Sequence, residues 1–183
     1  MTGQTGTLFL VVGPSGVGKD TLIDRARLAR PDIVFPKRVV TRAADAGGET
    51  IDAVLPEAFA AMRAAGAFAL DWDAHGLCYG VPAAIHEDLA AGRDVLVNVS
   101  RAILVEARQR FRRIRVLMIV AEPDVLAARL AARGREDALE IAERLRRARL
   151  QVPEGPDLTV IDNSGPLEMA AQRFLGALQP VRA

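Results

Sequence analysis

The chain has 183 residues, half of them apolar, and a formal net charge of +1. That length predicts a single domain, 1–183, with a full core, and the near-neutral balance excludes a broad basic field for nucleic acid. A lone cysteine, Cys78, excludes an internal disulfide and suits a reducing compartment. No apolar run reaches the roughly 18 residues a membrane span needs, and no basic region leads into a long apolar run at the N-terminus, so a cytoplasmic location is expected. No signal in the sequence sets an oligomeric state.

In chain order, the five apolar residues Leu8–Val12 predict a buried strand, and Lys19 to about Ala29 predicts a helix. A strand is predicted over about 37–40, a glycine-containing loop over 43–49, and a helix over about 56–65 closed by Gly66. Residues 68–70 read as a short strand before Asp71, and about 82–91 as a helix stopped by Gly92. A strand over 94–99 leads into a helix ending near Phe111, and 116–120 is another strand. Pro123 fits the first turn of a helix, with two helical stretches broken at Gly134. Residues 158–161 form the last strand, and Pro166 opens the last helix. Strands alternating with helices predict an α/β fold built on a parallel sheet covered on both faces. Ligands of such sheets lie beyond the carboxyl ends of the strands, which is where the residues after Val12 emerge.

Those residues are Gly13-Pro14-Ser15-Gly16-Val17-Gly18-Lys19, the pattern G-x-x-x-x-G-K between a strand and a helix. Glycines let backbone N–H groups converge on phosphate oxygens, and the following helix points its positive end at the same place. Lys19 supplies a mobile cation for β- and γ-phosphates; it is one of only two lysines among 24 basic residues. The pattern predicts ATP on residues 13–21, with Mg²⁺. The next residue is Asp20 where Ser or Thr is usual, and Thr21 follows one place late. Asp20 has two readings: a Mg²⁺ ligand, or a carboxylate favoured at a helix start. The metal reading is preferred because phosphoryl transfer already requires the ion.

Further motifs carry a resemblance. Thr41-Arg42 with Gly47-Gly48-Glu49, Asp71-Trp72 with "AHGLCYG" (74–80), "RLAARGREDALEIAERL" (129–145) and "IDNSGPL" (161–167) occur in order. Together with the loop they resemble the guanylate kinase-like group of P-loop kinases over nearly the whole chain. The loop ending G-K-D-T, "WDAHGLCYG", "VLVNVSRA" (95–102) and "ARGRED" (132–137) resemble one branch of that group, the ribose 1,5-bisphosphate phosphokinases of phosphonate breakdown. The resemblance implies a P-loop kinase fold with an acceptor-binding insertion at about 41–82 and a helical lid at about 129–147. It implies transfer of the γ-phosphoryl of ATP to ribose 1,5-bisphosphate, giving 5-phosphoribosyl 1-diphosphate, and makes Asp20 a branch marker. It also puts Asn163 beside the adenine and Glu49 at the acceptor.

Arg129, Arg133 and Arg144 are lid candidates, since guanidinium forks match the oxygens of a phosphoryl group in transfer. On the acceptor side Arg42 suits a phosphate, and Arg101 a second one. Tyr79 reads as a phosphate donor or a core ring, and Asp71 as a ribose ligand or a turn cap. His75, in a loop flanked by glycine, is a candidate substrate contact, as are Asn98 and Ser100 after a buried strand. Cys78 reads as an apolar filler and Trp72 as packing. There are departures from the guanylate kinase pattern. Asp45 replaces its second arginine, Val81 replaces its guanine-reading Ser/Thr, and Asn98 stands for a strand-end Asp. Ile51 stands where the ribose bisphosphate branch leads one to expect His. The loss of guanine readers argues against GMP.

Overall fold

A computed structural model describes residues 5–42, 51–133 and 153–179. The strands are β1 (Leu8–Val12), β2 (Arg38–Val40), β3 (Ile51–Ala53), β4 (Phe68–Ala74), β5 (Leu77–Pro82), β6 (Val95–Asn98), β7 (Ile114–Val120) and β8 (Leu158–Asp162). The helices are α1 (Lys19–Ala29), α2 (Pro56–Ala64), α3 (Ile85–Ala90), α4 (Leu104–Arg110), α5 (Pro123–Arg133) and α6 (Leu167–Ala177), with a 3-10 turn at Arg101–Ile103. One four-stranded sheet has the order β6-β1-β7-β8, and β7 and β8 run parallel. All five residues of β1 are buried, as a strand covered on both faces requires.

The chain divides into two compact units, Met1–Phe9 with Pro31–Ile114, and Leu10–Arg30 with Arg115–Ala183. In the second unit, α1 packs on α6. Leu22, Ile23 and Ala26 of α1 are buried, as are Ala170 and Phe174 of α6. Arg30 donates to the Leu178 carbonyl at 2.9 Å, closing the end of that helix pair.

The first unit holds a second sheet, β3-β2-β5-β4. Here the structure differs from the pattern read in the sequence. β3 and β5 were not expected, β4 runs on through Asp71 and Trp72 to Ala74, and α3 is shorter than predicted because Pro82 ends a strand. The sheet is mixed: β2 pairs parallel with β3 and antiparallel with β5, and β4 and β5 form a hairpin. The two glycines of "AHGLCYG" explain why it reads as a loop. Gly76 belongs to the two-residue turn, whereas Gly80 lies in β5, where a Cβ would stand 2.5 Å from the Phe68 ring. Gly80 is therefore a packing glycine.

Register decides what each face of this sheet carries, because paired residues share a face and neighbours alternate. Val39 pairs with Gly80, Asp71 with Gly80 and Asp73 with Cys78. These share the face covered by α2, where Phe59 stacks on Phe68 at 4.7 Å and Val39, Met62 and Cys78 complete the cluster. Val40 and Trp72 both pair with Tyr79, and Arg38 pairs with Ile51, on the opposite face.

Candidate active site

The phosphate loop is braced from below. Lys19 Nζ donates to the carbonyls of Gly13 at 2.8 Å and Pro14 at 2.9 Å, so the ammonium is folded back over its own loop. The Val17 carbonyl accepts from Asn163 Nδ2 at 2.8 Å, and Arg129 Nη1 lies 3.5 Å from it. Asn163 is 3% exposed, and its Oδ1 is buried without a hydrogen-bond partner. Gly18 caps α1 with φ 96°, and a Cβ on it would stand 2.5 Å from Asn163 Nδ2. Glycine at this position is thus a requirement of both backbone and neighbour.

A cavity of about 330 Å³ opens here, lined by Gly16, Gly18, Thr21, Arg129, Ala132, Asn163 and Leu167. The structure therefore brings together the loop glycines, Thr21, Arg129 and Asn163 from the expected donor site. Ser15 and Gly16 form the turn of the same loop, closed by the Val17 N–H donating to the Pro14 carbonyl at 3.4 Å, and the Val17 side chain is buried. Asp20 is exposed in the first turn of α1 and is not among the residues lining the cavity. Among the described residues no three His, Cys, Asp or Glu side chains gather as a metal cage. One or two oxygen ligands from Asp20 and Thr21 suit Mg²⁺, which keeps its remaining positions for phosphates and water. Of the other lid arginines, Arg133 ends α5 with its side chain outside the described residues, and Arg144 lies outside them, as does Glu49.

On the acceptor side, Thr41 and Arg42 follow β2. Thr41 is tied to β5 twice: its N–H donates to the Cys78 carbonyl at 3.1 Å, and its hydroxyl accepts from the Cys78 N–H at 2.8 Å. Arg42 is thereby held directly after a fixed residue. Asp71 and Tyr79, expected at one acceptor site, are carried on opposite faces of the sheet. Asp71 accepts an ion pair from Arg63 Nε of α2 at 2.6 Å, and the same guanidinium reaches Asp73 at 2.9 Å. The Cys78 thiol donates to Asp73; that bond holds the Asp73 carboxyl below its ordinary range and pushes the thiol up. Cys78 is both a cluster member and a polar link, which its reading as filler missed.

On the other face, the rings of Trp72 and Tyr79 stack at 5.4 Å with 4° between planes, and the Arg38 guanidinium lies over both. His75 and Gly76 are the hairpin turn, with φ 54° and 73°, and His75 is exposed at its tip. Positive φ at both central residues is the twist a two-residue hairpin demands, which gives His75 a structural place as well as a candidate chemical one. Asn98, 9% exposed, ends β6. Ser100 caps the 3-10 turn by accepting from the Ala102 N–H at 3.3 Å. Arg101 opens that turn, and burial lowers the proton affinity of its guanidinium. A partly desolvated guanidinium gains more from an anion than one in open water. Two residues escaped sequence reasoning, Arg63 and Arg38. Their one signal was position, in the last turn of a helix and at a strand start, and in an arginine-rich chain that does not stand out.

The chain was compared with known proteins. No family model matches it. A curated relative from Agrobacterium fabrum, named ribose 1,5-bisphosphate phosphokinase PhnN, is 48% identical over 175 residues, 94% of this chain and 96% of that one. The protein of the same name from Pseudomonas fluorescens is 48% identical over 182 residues, 96% of each chain. Among solved structures, guanylate kinase from Anaplasma phagocytophilum superposes with a TM-score of 0.70 at 21% identity, over 96% of this chain and 86% of that one. That likeness shows a P-loop kinase fold.

Proposed function

The chain belongs to the ribose 1,5-bisphosphate phosphokinase family, and from that premise we propose that it moves the γ-phosphoryl of ATP onto the 1-phosphate of ribose 1,5-bisphosphate. An oxygen of the acceptor phosphate bonds to the γ-phosphorus as the bond to the β–γ bridging oxygen breaks. ADP and 5-phosphoribosyl 1-diphosphate leave. The single observation that carries the reading is identity near one half, over nearly full length, with relatives named for this activity. No general base is required, because a phosphate acceptor is already ionised at neutral pH.

Catalysis then rests on placing and neutralising charge. Lys19 leaves its loop carbonyls for phosphate oxygens. Arg129 faces the same cavity and supplies a guanidinium fork. Arg133 and Arg144 complete the lid, which excludes water when closed and so suppresses hydrolysis. Asn163 borders the cavity as a candidate neighbour of the adenine. Arg42, Arg101 and the Tyr79 hydroxyl are assigned to the acceptor phosphates, with Asn98, Ser100, Glu49, His75 and Asp71 as further acceptor candidates. Mg²⁺, when bound, neutralises phosphate oxygens. Val81, fully buried, offers no hydroxyl to a purine.

Measuring ADP release with ribose 1,5-bisphosphate and with GMP in parallel tests the acceptor. The ribose bisphosphate should be strongly preferred, and phosphorus NMR should show a new diphosphate on C1. Faster turnover of GMP overturns the reading in favour of a guanylate kinase. For the metal, Asp20→Ala is expected to raise the Mg²⁺ concentration giving half-maximal rate, and Asp20→Ser to recover much of the loss. A titration unchanged in Asp20→Ala but shifted in Thr21→Val transfers the metal role to Thr21. Among the described residues no helix is long and apolar enough to cross a membrane.

A further inference from the structure

Strand β2 pairs with β5 through Val39 and Val40, and the ladder ends there. One residue further, Thr41 still faces Cys78. A hydrogen-bonded antiparallel pair exchanges two backbone bonds. Here one of them is replaced. The Thr41 N–H donates to the Cys78 carbonyl at 3.1 Å, but the Cys78 N–H goes to the Thr41 hydroxyl at 2.8 Å, so a side chain takes the part of the residue's own carbonyl. The ladder stops while the chain stays tied to it, and the next residue is Arg42. Cys78 is itself pinned. Its thiol donates to Asp73, and the Thr41 hydroxyl turns its own proton to the Cys78 sulfur. The Asp73 carboxylate also accepts from Arg63 at 2.9 Å. These side chains form one line, Thr41 to Cys78 to Asp73 to Arg63, from the end of β2 to the last turn of α2. At the Thr41 end the line requires a hydroxyl that accepts and donates at once. Valine has the shape of threonine and can do neither.

We propose that Thr41 is a positioning residue for acceptor binding: its hydroxyl fixes where the backbone leaves β2, and so where Arg42 is delivered to a phosphate of the sugar bisphosphate. This role rests on the kinase reading above, including its assignment of Arg42 to the acceptor, and adds a residue that acts without touching substrate. Whatever the Arg42 guanidinium contacts before substrate arrives, its Cα follows a residue bonded twice to β5. Without the hydroxyl, the part-buried Cys78 N–H must find another acceptor, because leaving it unpaired is unfavourable. The carbonyl of residue 41 is the acceptor an ordinary ladder supplies. Taking it extends β2 by one residue and re-aims the residue that follows.

The test measures KM for ribose 1,5-bisphosphate and for ATP, together with thermal melting, in wild type, Thr41→Val, Thr41→Ser, Arg42→Met and the double variant Thr41→Val/Arg42→Met. Thr41→Val should raise KM for ribose 1,5-bisphosphate about tenfold or more and leave KM for ATP unchanged, because a small misplacement of a binding group is costly. Thr41→Ser, which restores the hydroxyl, should recover most of that rise. Arg42→Met should raise the same KM, and adding Thr41→Val to it should raise it no further, since nothing is left to place. Full additivity of the two effects overturns the proposal. So does an acceptor KM equal to wild type in folded Thr41→Val, or a rise of both KM values together with a lower melting temperature. If Thr41→Val does not fold, Thr41→Ala, smaller and also without a hydroxyl, takes its place. Failure of both to fold beside a stable Thr41→Ser makes the hydroxyl purely structural and overturns the proposal as well. An acceptor KM unchanged in Arg42→Met, or no turnover of ribose 1,5-bisphosphate in wild type, overturns the reading beneath it, so the failures are distinguishable.

Discussion

Lys19→Ala is expected to lower kcat at least about 100-fold, which corresponds to roughly 3 kcal/mol of transition-state stabilisation. Its ammonium is the one lysine charge within the loop, held by two carbonyls at 2.8 and 2.9 Å. Those carbonyls fix where the cation starts. Moving it to phosphate exchanges two neutral acceptors for anionic ones, whose hydrogen bonds are roughly twice as strong. Lys19→Arg should recover little, because a planar fork does not replace a compact charge in a loop of this size. The variant must still melt near the wild-type temperature, since the lost contacts are local. Near-normal turnover in folded Lys19→Ala would sink the loop assignment.

Gly18→Ala is the second large effect. Two costs coincide. An alanine at φ 96° sits in left-handed backbone, at about 1–2 kcal/mol. Its Cβ would also stand 2.5 Å from Asn163 Nδ2, which must give way and release the Val17 carbonyl. We expect KM for ATP to rise about tenfold or more, together with a lower melting temperature. Adding Asn163→Ala to Gly18→Ala should restore part of the stability by removing the clash, although Asn163→Ala alone should cost about 1 kcal/mol through the lost brace. Positive coupling of this kind separates steric conflict from backbone strain. An unchanged KM and melting curve in Gly18→Ala would show that the loop tolerates a side chain there.

The donor loop was legible because everything that makes it lies within a few residues of chain. A buried strand, spaced glycines and one lysine announce it without knowledge of any partner. Asn163 was placed beside it only through resemblance, and the hydrogen bond to Val17 comes from a residue 146 positions away. The acceptor side was harder for the same reason. Whether Asp71 and Tyr79 share a face depends on the β4–β5 pairing, and "AHGLCYG" hides that pairing behind two glycines with different jobs. Arg63 and Arg38 acquire meaning only when α2 and β2 are laid against β4 and β5. β3 has three residues, too few to show a period. Most of the lid motif, read through the family resemblance, lies outside the described residues.

The pairing of the lone tryptophan with the lone tyrosine makes the protein its own optical reporter. Excitation at the red edge of the absorption band addresses Trp72 alone, and every photon emitted comes from one sheet face. Tyr79, in contact, is positioned to pass its excitation to the same indole. Changes of emission on adding a phosphorylated sugar can therefore be assigned to that face without any label, and ATP added alone provides the reference. Near-ultraviolet dichroism of the same ring pair supplies a signal for the folding of this sheet, separable from the far-ultraviolet signal of the helices.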